Sequence, residues 1–291
     1  MGRFPDFSAE RDWLAALPNV EMTLPPIYSE LPGLKALFEE LRLNPLFERF
    51  NWVIAHIYAD QLEQFHTALN HNTVMLYFSN EDFRVPNYIS ALAMLFTPYW
   101  WPMPTVKNLR ALPLGCNGEV PALAPWPWAE RDLDLFFSGH AHKYRIGFYQ
   151  AFQAVLLQFR PAGSDLSALA VWSSRFRDGL DPNTYASHLA RCKVACIPRG
   201  HSAMTYRLFE AMRAGCLLLT EDLPPAWYLA DCPRVVMPPD WHSLGNVLQQ
   251  LWQDPALMAE MHLKTLANYQ NNCSPPAIAK YILGELAALD R

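Results

Sequence analysis

From residue 133 onward the sequence keeps returning to one unit: a short apolar run, a turn, then a stretch with helical spacing. The runs are LDLFFSG (133–139), LSALAVWSS (166–174), KVACIPRG (193–200), CLLLTED (216–222) and PRVVMPP (233–239). Between them, RIGFYQAFQAVLLQF (145–159), NTYASHLARC (183–192) and TYRLFEAMRAG (205–215) carry apolar residues at helical intervals. Three further helical segments, HSLGNVLQQLWQD, PALMAEMHLKTLANYQ and PPAIAKYILGELAAL, close the chain. Strands that alternate with helices need crossover connections, so the pattern predicts a doubly wound parallel sheet of the Rossmann-like class.

The first half follows the same rhythm less regularly. WVIAHIYAD (52–60), NTVMLYFSNEDF (72–83) and NLRALPLGCNG (108–118) read as strands, and QLEQFHTALN (61–70) as a helix. LPGLKALFEELRLNPLFERF places Leu37, Phe38 and Leu41 on one helical face, and the rest of the first fifty residues reads as irregular segments and short helices. EVPALAPWPWAERD (119–132), with three prolines and two tryptophans, is stiff and non-helical. The expected organisation is an α/β domain over 1–120, a Pro/Trp-rich linker over 121–131 and a second α/β domain over 132–291. Ligands of such sheets bind beyond the C-terminal strand ends. Chemistry is therefore expected at Ser79–Asp82, Gly115–Gly118, Ser138–Arg145, Ser173–Arg177, Pro198–Thr205 and Glu221–Pro225.

Composition narrows the function classes. The chain has 291 residues, 51% of them hydrophobic, enough for one large domain or two ordinary ones. Few glycines (12) and many prolines (25) argue for ordered loops. The net charge of −5, with no basic block, gives no reason to expect nucleic acid. The six cysteines form neither a compact disulfide pattern nor a paired metal motif, and several lie in apolar runs, so a reducing, cytoplasmic setting is expected. The N-terminus has no apolar signal core, and YISALAMLFTPYWW (88–101) is too short to span a bilayer. It reads as a buried helix or strand, with peripheral membrane contact through Trp100 and Trp101 as the alternative. Oligomeric state is not legible.

Three clusters could carry chemistry. Arg199 and Gly200 follow KVACI; the glycine permits close backbone approach and the arginine neutralises an anion. Thr205 can cap the next helix, whose free N–H groups point into the same space. Arg207 and Glu210 share a helical face, either as a surface ion pair worth ~0.3 kcal/mol or as two ligand contacts, Glu210 to a ribose diol. In LFFSGHAHKYR (135–145), Gly139, two histidines, Lys143 and Arg145 gather donors at a strand end. His-x-His can also hold zinc, but no third ligand suggests itself, so no metal site is expected. In YFSNEDF (77–83), Glu81 or Asp82 could act as a general base, or Asn80 or Asp82 could cap a helix. His56, inside an apolar strand, reads as a core histidine. No G-x-G-x-x-G, Walker A or G-x-S-x-G motif occurs. Asp-x-Asp at 132–134 enters a strand instead of leaving one.

The segment over 185–222 resembles the donor-binding region of exostosin-type glycosyltransferases. Tyr185, Leu189, Pro198, Gly200, Arg207, Phe209, Glu210, Ala211, Gly215 and Cys216 stand in that family's order. The similarity extends over roughly 133–240, and FFSGHAHKYR is similar to the family's preceding strand–Gly–Arg element. The resemblance implies the GT-B fold, two Rossmann-like domains facing a cleft, and inverting sugar transfer without a metal. It implies a nucleotide-sugar donor, a UDP-sugar as substrate with no separate cofactor, and a glycan or other hydroxyl acceptor. The donor site it implies draws on Gly139, His140, Arg145, Pro198, Arg199, Gly200, His201, Thr205, Tyr206, Arg207 and Glu210, with Glu210 on the ribose and Arg145 and Arg207 on the diphosphate. Asp82 and Glu81 are the expected bases. Unlike eukaryotic Golgi members, the chain shows no membrane anchor or stem, which suggests a soluble bacterial enzyme of polysaccharide biosynthesis. A nucleotide-sugar epimerase on the same fold and a non-catalytic nucleotide-sugar or glycan-binding scaffold are the alternatives.

Overall fold

A computed structural model describes residues 6–23, 29–56, 65, 67–78, 80–81, 83–99, 106–159, 166–174 and 179–289. It divides into two compact units, one of Met1–Glu119, Pro224–Tyr228 and Asn271–Arg291, the other of Val120–Leu223 and Leu229–Gln270.

The first unit is built on β1 (Val20–Met22), β2 (Asn51–His56), β3 (Thr73–Phe78), β4 (Met94–Thr97) and β5 (Leu109–Ala111). They pair in parallel in chain order, β1-β2-β3-β4-β5. All six residues of β3 are buried, as a central parallel strand covered on both faces requires. Helix α1 (Ser8–Ala15) and helix α2 (Leu31–Leu41) belong to this unit. Helix α2 buries Leu31, Leu34, Leu37, Phe38 and Leu41, the apolar stripe read from the sequence. Phe38 meets Phe47 and Trp52 edge-on, at 6.0 and 5.6 Å between ring centroids. The last helix, α8 (Pro275–Ala287), packs on α2 and adds Ile278, Ile282 and Leu286 to the same core. Its Tyr281 stacks on Trp227 at 4.0 Å, and Trp227 Nε1 donates to Ala111 O at 2.8 Å. An Arg110–Glu285 ion pair adds a further tie. A continuous second domain over 132–291 does not account for these contacts: 224–228 and 271–291 pack with the first unit, because the apolar face of α8 finds its partners there.

The second unit contains β6 (Leu133–His140), β7 (Ala168–Ser173), β8 (Cys192–Ile197), β9 (Leu217–Thr220) and β10 (Arg234–Val236). Its order is β10-β9-β8-β6-β7, all parallel. Helices α3 (Ile146–Phe159), α4 (Pro182–Arg191), α5 (Tyr206–Arg213), α6 (Leu244–Gln253) and α7 (Pro255–Asn268) complete it. Pro182 opens α4 behind Asp181, whose carboxylate accepts the N–H groups of Asn183 and Thr184 at 3.1 and 3.0 Å. Strand order runs from β6 outward to β7 on one side and to β8, β9 and β10 on the other. That reversal makes a crevice beyond the ends of β6 and β8. The described strands of the first unit show no such reversal.

Some sequence expectations differ in detail. The three-residue edge strand β1 falls where irregular structure was expected. Residues 67–70 are not helical, and the rest of the 61–70 segment lies almost wholly outside the described residues. The apolar 88–99 segment resolves into β4. The 121–131 linker is bonded to the second unit: Trp126 N–H donates to Ala190 O at 3.0 Å, and Arg213 Nη2 donates to Val120 O and Pro121 O at 3.1 Å. Trp128 packs on His262 at 5.4 Å, whereas Trp126 is 42% exposed.

Arg131 anchors the linker's end. It is 3% exposed, and its guanidinium donates to the carbonyls of Trp126, Cys192, Ala214 and Gly215. Two of these carbonyls lie at the C-terminus of α5, where the helix dipole also favours a cation. Gly215 turns there with φ 69°, and a Cβ would lie 2.7 Å from His262 Nδ1. Replacing Arg131 with Met leaves buried carbonyls unsatisfied. We expect a loss of about 3 kcal/mol of stability, read from the urea unfolding midpoint; an unchanged midpoint would remove Arg131 from this role.

Candidate functional site at the β6–β8 crevice

β6 ends in Ser138, Gly139 and His140, and β8 leads into Pro198, Arg199 and Gly200. Pairing of β6 with β8 in parallel sets these two ends side by side. Arg145 ties them together. It lies in the turn before α3, donates from Nη1 to His140 O at 2.8 Å and from Nε to Arg199 O at 2.9 Å, and is 5% exposed. Burial, then the charge of Arg207, lowers its pKa to about 10, against which Glu221 acts.

Arg207, in the first turn of α5, donates from Nε to Ser138 O. The guanidiniums of Arg145 and Arg207 each lie 5.8 Å from the centroid of the Phe137 ring. That ring is backed by Phe148 at 4.8 Å and Trp172 at 4.6 Å. The glycine at 139 makes room for this arrangement: a Cβ there would lie 2.6 Å from Arg207 Nη2. At Gly200 an added Cβ would lie 3.4 Å from Arg145 Nη2. Neither arginine forms an ion pair with a carboxylate among the described residues. Two fixed, like-charged forks at a strand-end crevice are arranged to receive an anion.

The loop after β8 is held from below. Glu221, 6% exposed at the end of β9, accepts the Arg199 N–H at 3.2 Å and Trp241 Nε1 at 3.1 Å. Gly200 N–H donates to Ser202 O at 3.0 Å. The amides of Arg199 and Gly200 are thus committed to the loop, and the arginine side chains supply the outward donors. Thr205 precedes α5 in an extended conformation with no side-chain cap bond, and its Oγ1 is buried without a hydrogen-bond partner. Tyr206 opens the helix. Pro198 is buried at the strand end.

Around this inner pair stands an exposed set. Arg199 lies over the Tyr144 ring at 5.3 Å and donates from Nη2 to His201 O at 3.2 Å; Lys143 Nζ lies 5.0 Å from the same ring. His140 Nδ1 pairs with Ser173 O at 3.2 Å, and His142 takes the Tyr144 N–H at 3.5 Å. His142 is held below the ordinary histidine range by desolvation, then by the charges of Arg145, His140, Lys143 and His201.

Glu210 is placed differently from its Arg207 neighbour. It is 3% exposed, and its Oε2 accepts the Tyr185 hydroxyl at 2.8 Å. A surface ion pair is therefore not its setting, and a ribose would reach this carboxylate oxygen only by displacing Tyr185. The hydroxyl of Tyr185 is pushed well above its usual pKa by burial and by Glu210. In the first unit, Asn80 closes a turn to Arg84, accepting its N–H at 2.8 Å and donating to its carbonyl at 2.7 Å, and caps no helix. Glu81 lies in that turn; Asp82, Trp100 and Trp101 lie outside the described residues. His56, half-buried at the end of β2, has its pKa lowered by burial. Asp132 and Asp134 pair with Arg191 and Lys193 at 2.8 and 2.7 Å, a structural use of that motif. Among the described residues no three of His, Cys, Asp and Glu gather as a metal site, and no helix is long and apolar enough to cross a membrane.

No family model matches the chain, and no curated protein does. The exostosin-type resemblance therefore rests on its motif. Solved structures do match. TarM superposes with a TM-score of 0.53 at 11% identity, over 87% of this chain and 57% of TarM. Sucrose-phosphate synthase from Thermosynechococcus elongatus gives 0.51 at 14%, over 82% and 73%. The GtfA/B complex gives 0.50 at 10%, over 90% and 60%. The chain thus spans a little over half the length of TarM. With the two parallel sheets, these likenesses define an α/β protein of the GT-B fold class, with two Rossmann-like units.

Two measurements test the site. Gly139→Ala pushes Arg207 off its seat and should weaken binding of inorganic pyrophosphate about tenfold, or ~1.4 kcal/mol, in calorimetry. The melting temperature should stay within about 2 °C of the parent. An anion bound here opposes the charges that depress His142, so its midpoint, followed by NMR, should move to higher pH when pyrophosphate is added. Protonated His142 then binds more tightly, so its contribution to affinity grows as pH falls through that midpoint. An unmoved midpoint would place the anion elsewhere.

Proposed function

We propose that the protein is a glycosyltransferase that moves a sugar from a nucleoside-diphosphate donor, UDP-linked, to a hydroxyl of a glycan or other acceptor. The observation that carries this reading is the pair of buried and half-buried arginines stacked on Phe137 at the switch point, neither of them in an ion pair among the described residues. The GT-B fold supports it, as does the structure of a variant of S. aureus TarM, which holds UDP and α-GlcNAc-glycerol.

In the proposed reaction the acceptor oxygen attacks the anomeric carbon in line. The bond from that carbon to the β-phosphate oxygen breaks, and the hydroxyl proton passes to a base. One displacement inverts the anomeric centre. Negative charge growing on the leaving diphosphate is met by Arg145 and Arg207 together with the N-terminus of α5, so the guanidiniums take the role a metal would otherwise fill. Both arginines are preorganised by carbonyl hydrogen bonds, so little reorganisation accompanies the step.

A thermal-shift panel of UDP, GDP, CMP and dTDP sugars tests the reading. A UDP-sugar should raise the melting temperature. Arg207→Lys, which keeps the charge but loses the fork, should weaken the bound donor about tenfold and lower kcat further. Absence of a shift with every nucleotide would overturn the assignment.

A further inference from the structure

We propose that the protein forms a twofold dimer through the edge of its second sheet, with β7 pairing antiparallel to β7 of a second copy. This interface lies outside the glycosyltransferase reading and does not depend on it.

The argument begins with the sheet edges. Among the described strands, β1 and β5 stand at the edges of one sheet, β7 and β10 at those of the other. An open edge presents unpaired N–H and C=O groups, so proteins shorten such strands or place charges on them. Three of these edges are three residues long and carry a charge: β1 with Glu21, β5 with Arg110 and β10 with Arg234. β7 differs on both counts. It is six residues long, and the segment 166–174, LSALAVWSS, has no charged residue and no proline. It pairs with β6 one to one from Leu135–Ala168 to His140–Ser173, so no bulge turns the edge away. Helix α3 is equally uncharged along Ile146–Phe159, and its Tyr149, 46% exposed, lies against Trp172 at 5.1 Å.

The register selects the occupant. Ser167 O and Ser173 O accept from Leu135 and Ala141, on the β6 side. Alternation along the strand therefore turns the N–H and C=O groups of Ala168, Ala170 and Trp172 outward. None of these three finds an outward backbone partner among the described residues. They are symmetric about Ala170. With Ala170 opposite its own copy, Ala168 faces Trp172 of the second copy and the reverse, and the three pairs exchange about six hydrogen bonds. This sets a small side chain opposite a large one, and on the other face it sets Leu169 opposite Val171. A twofold pair brings like residues together at its axis, so a charge there would meet itself; β7 has none. A partner of different sequence would be selected by charges or side-chain pockets, and the alanines at 168 and 170 offer neither. A strand edge is small against the roughly 1,200–2,000 Å² of a stable interface, so dissociation is expected in the micromolar range.

Sedimentation velocity of the full chain over about 1 to 100 μM should show a monomer–dimer equilibrium. Hydrogen exchange on the same chain should slow at the amides of Ala168, Ala170 and Trp172 as concentration rises. Ala170→Pro deletes an outward N–H, a change that an edge strand tolerates, and should raise the dissociation constant about tenfold. Ala170→Lys and Ala170→Glu should each weaken the pair by about the same factor, since like charges then stand opposite each other. An equimolar mixture of these two variants should recover the dimer, because opposite charges meet only if residue 170 faces its own copy. A chain that is monomeric at every concentration would overturn the inference and leave the edge to an extended segment of another protein. Association without slowed exchange in β7 would overturn it too, as would a mixture no tighter than its separate variants. The exchange measurement needs no substitution, so it decides the question if the variants fail to fold.

Discussion

Parallel pairing of β6 with β8 is the contact on which the loop end of the second unit depends. It joins two segments far apart in sequence and aligns Gly139 and His140 with Pro198 to Gly200. Arg145 then clamps the junction, one nitrogen on His140 O and another on Arg199 O. Its hydrogen bonds go to carbonyls, which are dipoles and not counter-ions, and the buried Glu221 is the carboxylate that acts on its charge. Arg207 adds a second charge over the same Phe137 ring. The aromatic layer beneath, Phe137, Phe148, Trp172 and Trp241, excludes water from one side and so strengthens every electrostatic contact on the other. The crevice gathers two buried or half-buried guanidiniums with the buried Glu221 as the carboxylate acting on Arg145, and this local excess of positive charge is what the proposed anion would meet.

Helix α5 links that crevice to the opposite end of the sheet. Its N-terminus opens near Gly200, and its C-terminus ends on Arg131. Two buried arginines therefore stand near the two ends of one helix, with opposite roles. Arg131 has carbonyls on all sides and His262 against the same Gly215 carbonyl, so it is sealed into the structure. Arg145 has two carbonyls and keeps a nitrogen facing the small residue at Gly200. The two differ in how many of their donors the backbone consumes.

Much of this was legible in the sequence because it is local. The five apolar runs of the second half became β6 to β10, and the strand-end rule pointed at Gly139, Arg145, Arg199 and Gly200. Glu221 falls within the Glu221–Pro225 strand end that the same rule names, but no role for its side chain follows from the sequence. Its role, holding the Arg199 amide and Trp241, depends on residues distant in sequence. Gly139 reads in sequence as part of a donor-rich strand end; in the structure it leaves the space that the Arg207 guanidinium occupies. Glu210 shares a helical face with Arg207 by spacing, yet it is buried and bound to the Tyr185 hydroxyl of α4. β1, a three-residue edge strand with a central glutamate, has too short a period to register.

The sequence by itself determined the strand–turn–helix rhythm, the parallel α/β class and the chemistry stationed at the strand ends. These follow from hydrophobic period and local backbone preference, which act over a few residues. Tertiary structure decided which strands are neighbours, where the strand order reverses, which cations lack carboxylates, and that the last helix packs on α2. Those outcomes depend on burial and on Coulombic partners brought together across long stretches of chain, and no local pattern encodes them.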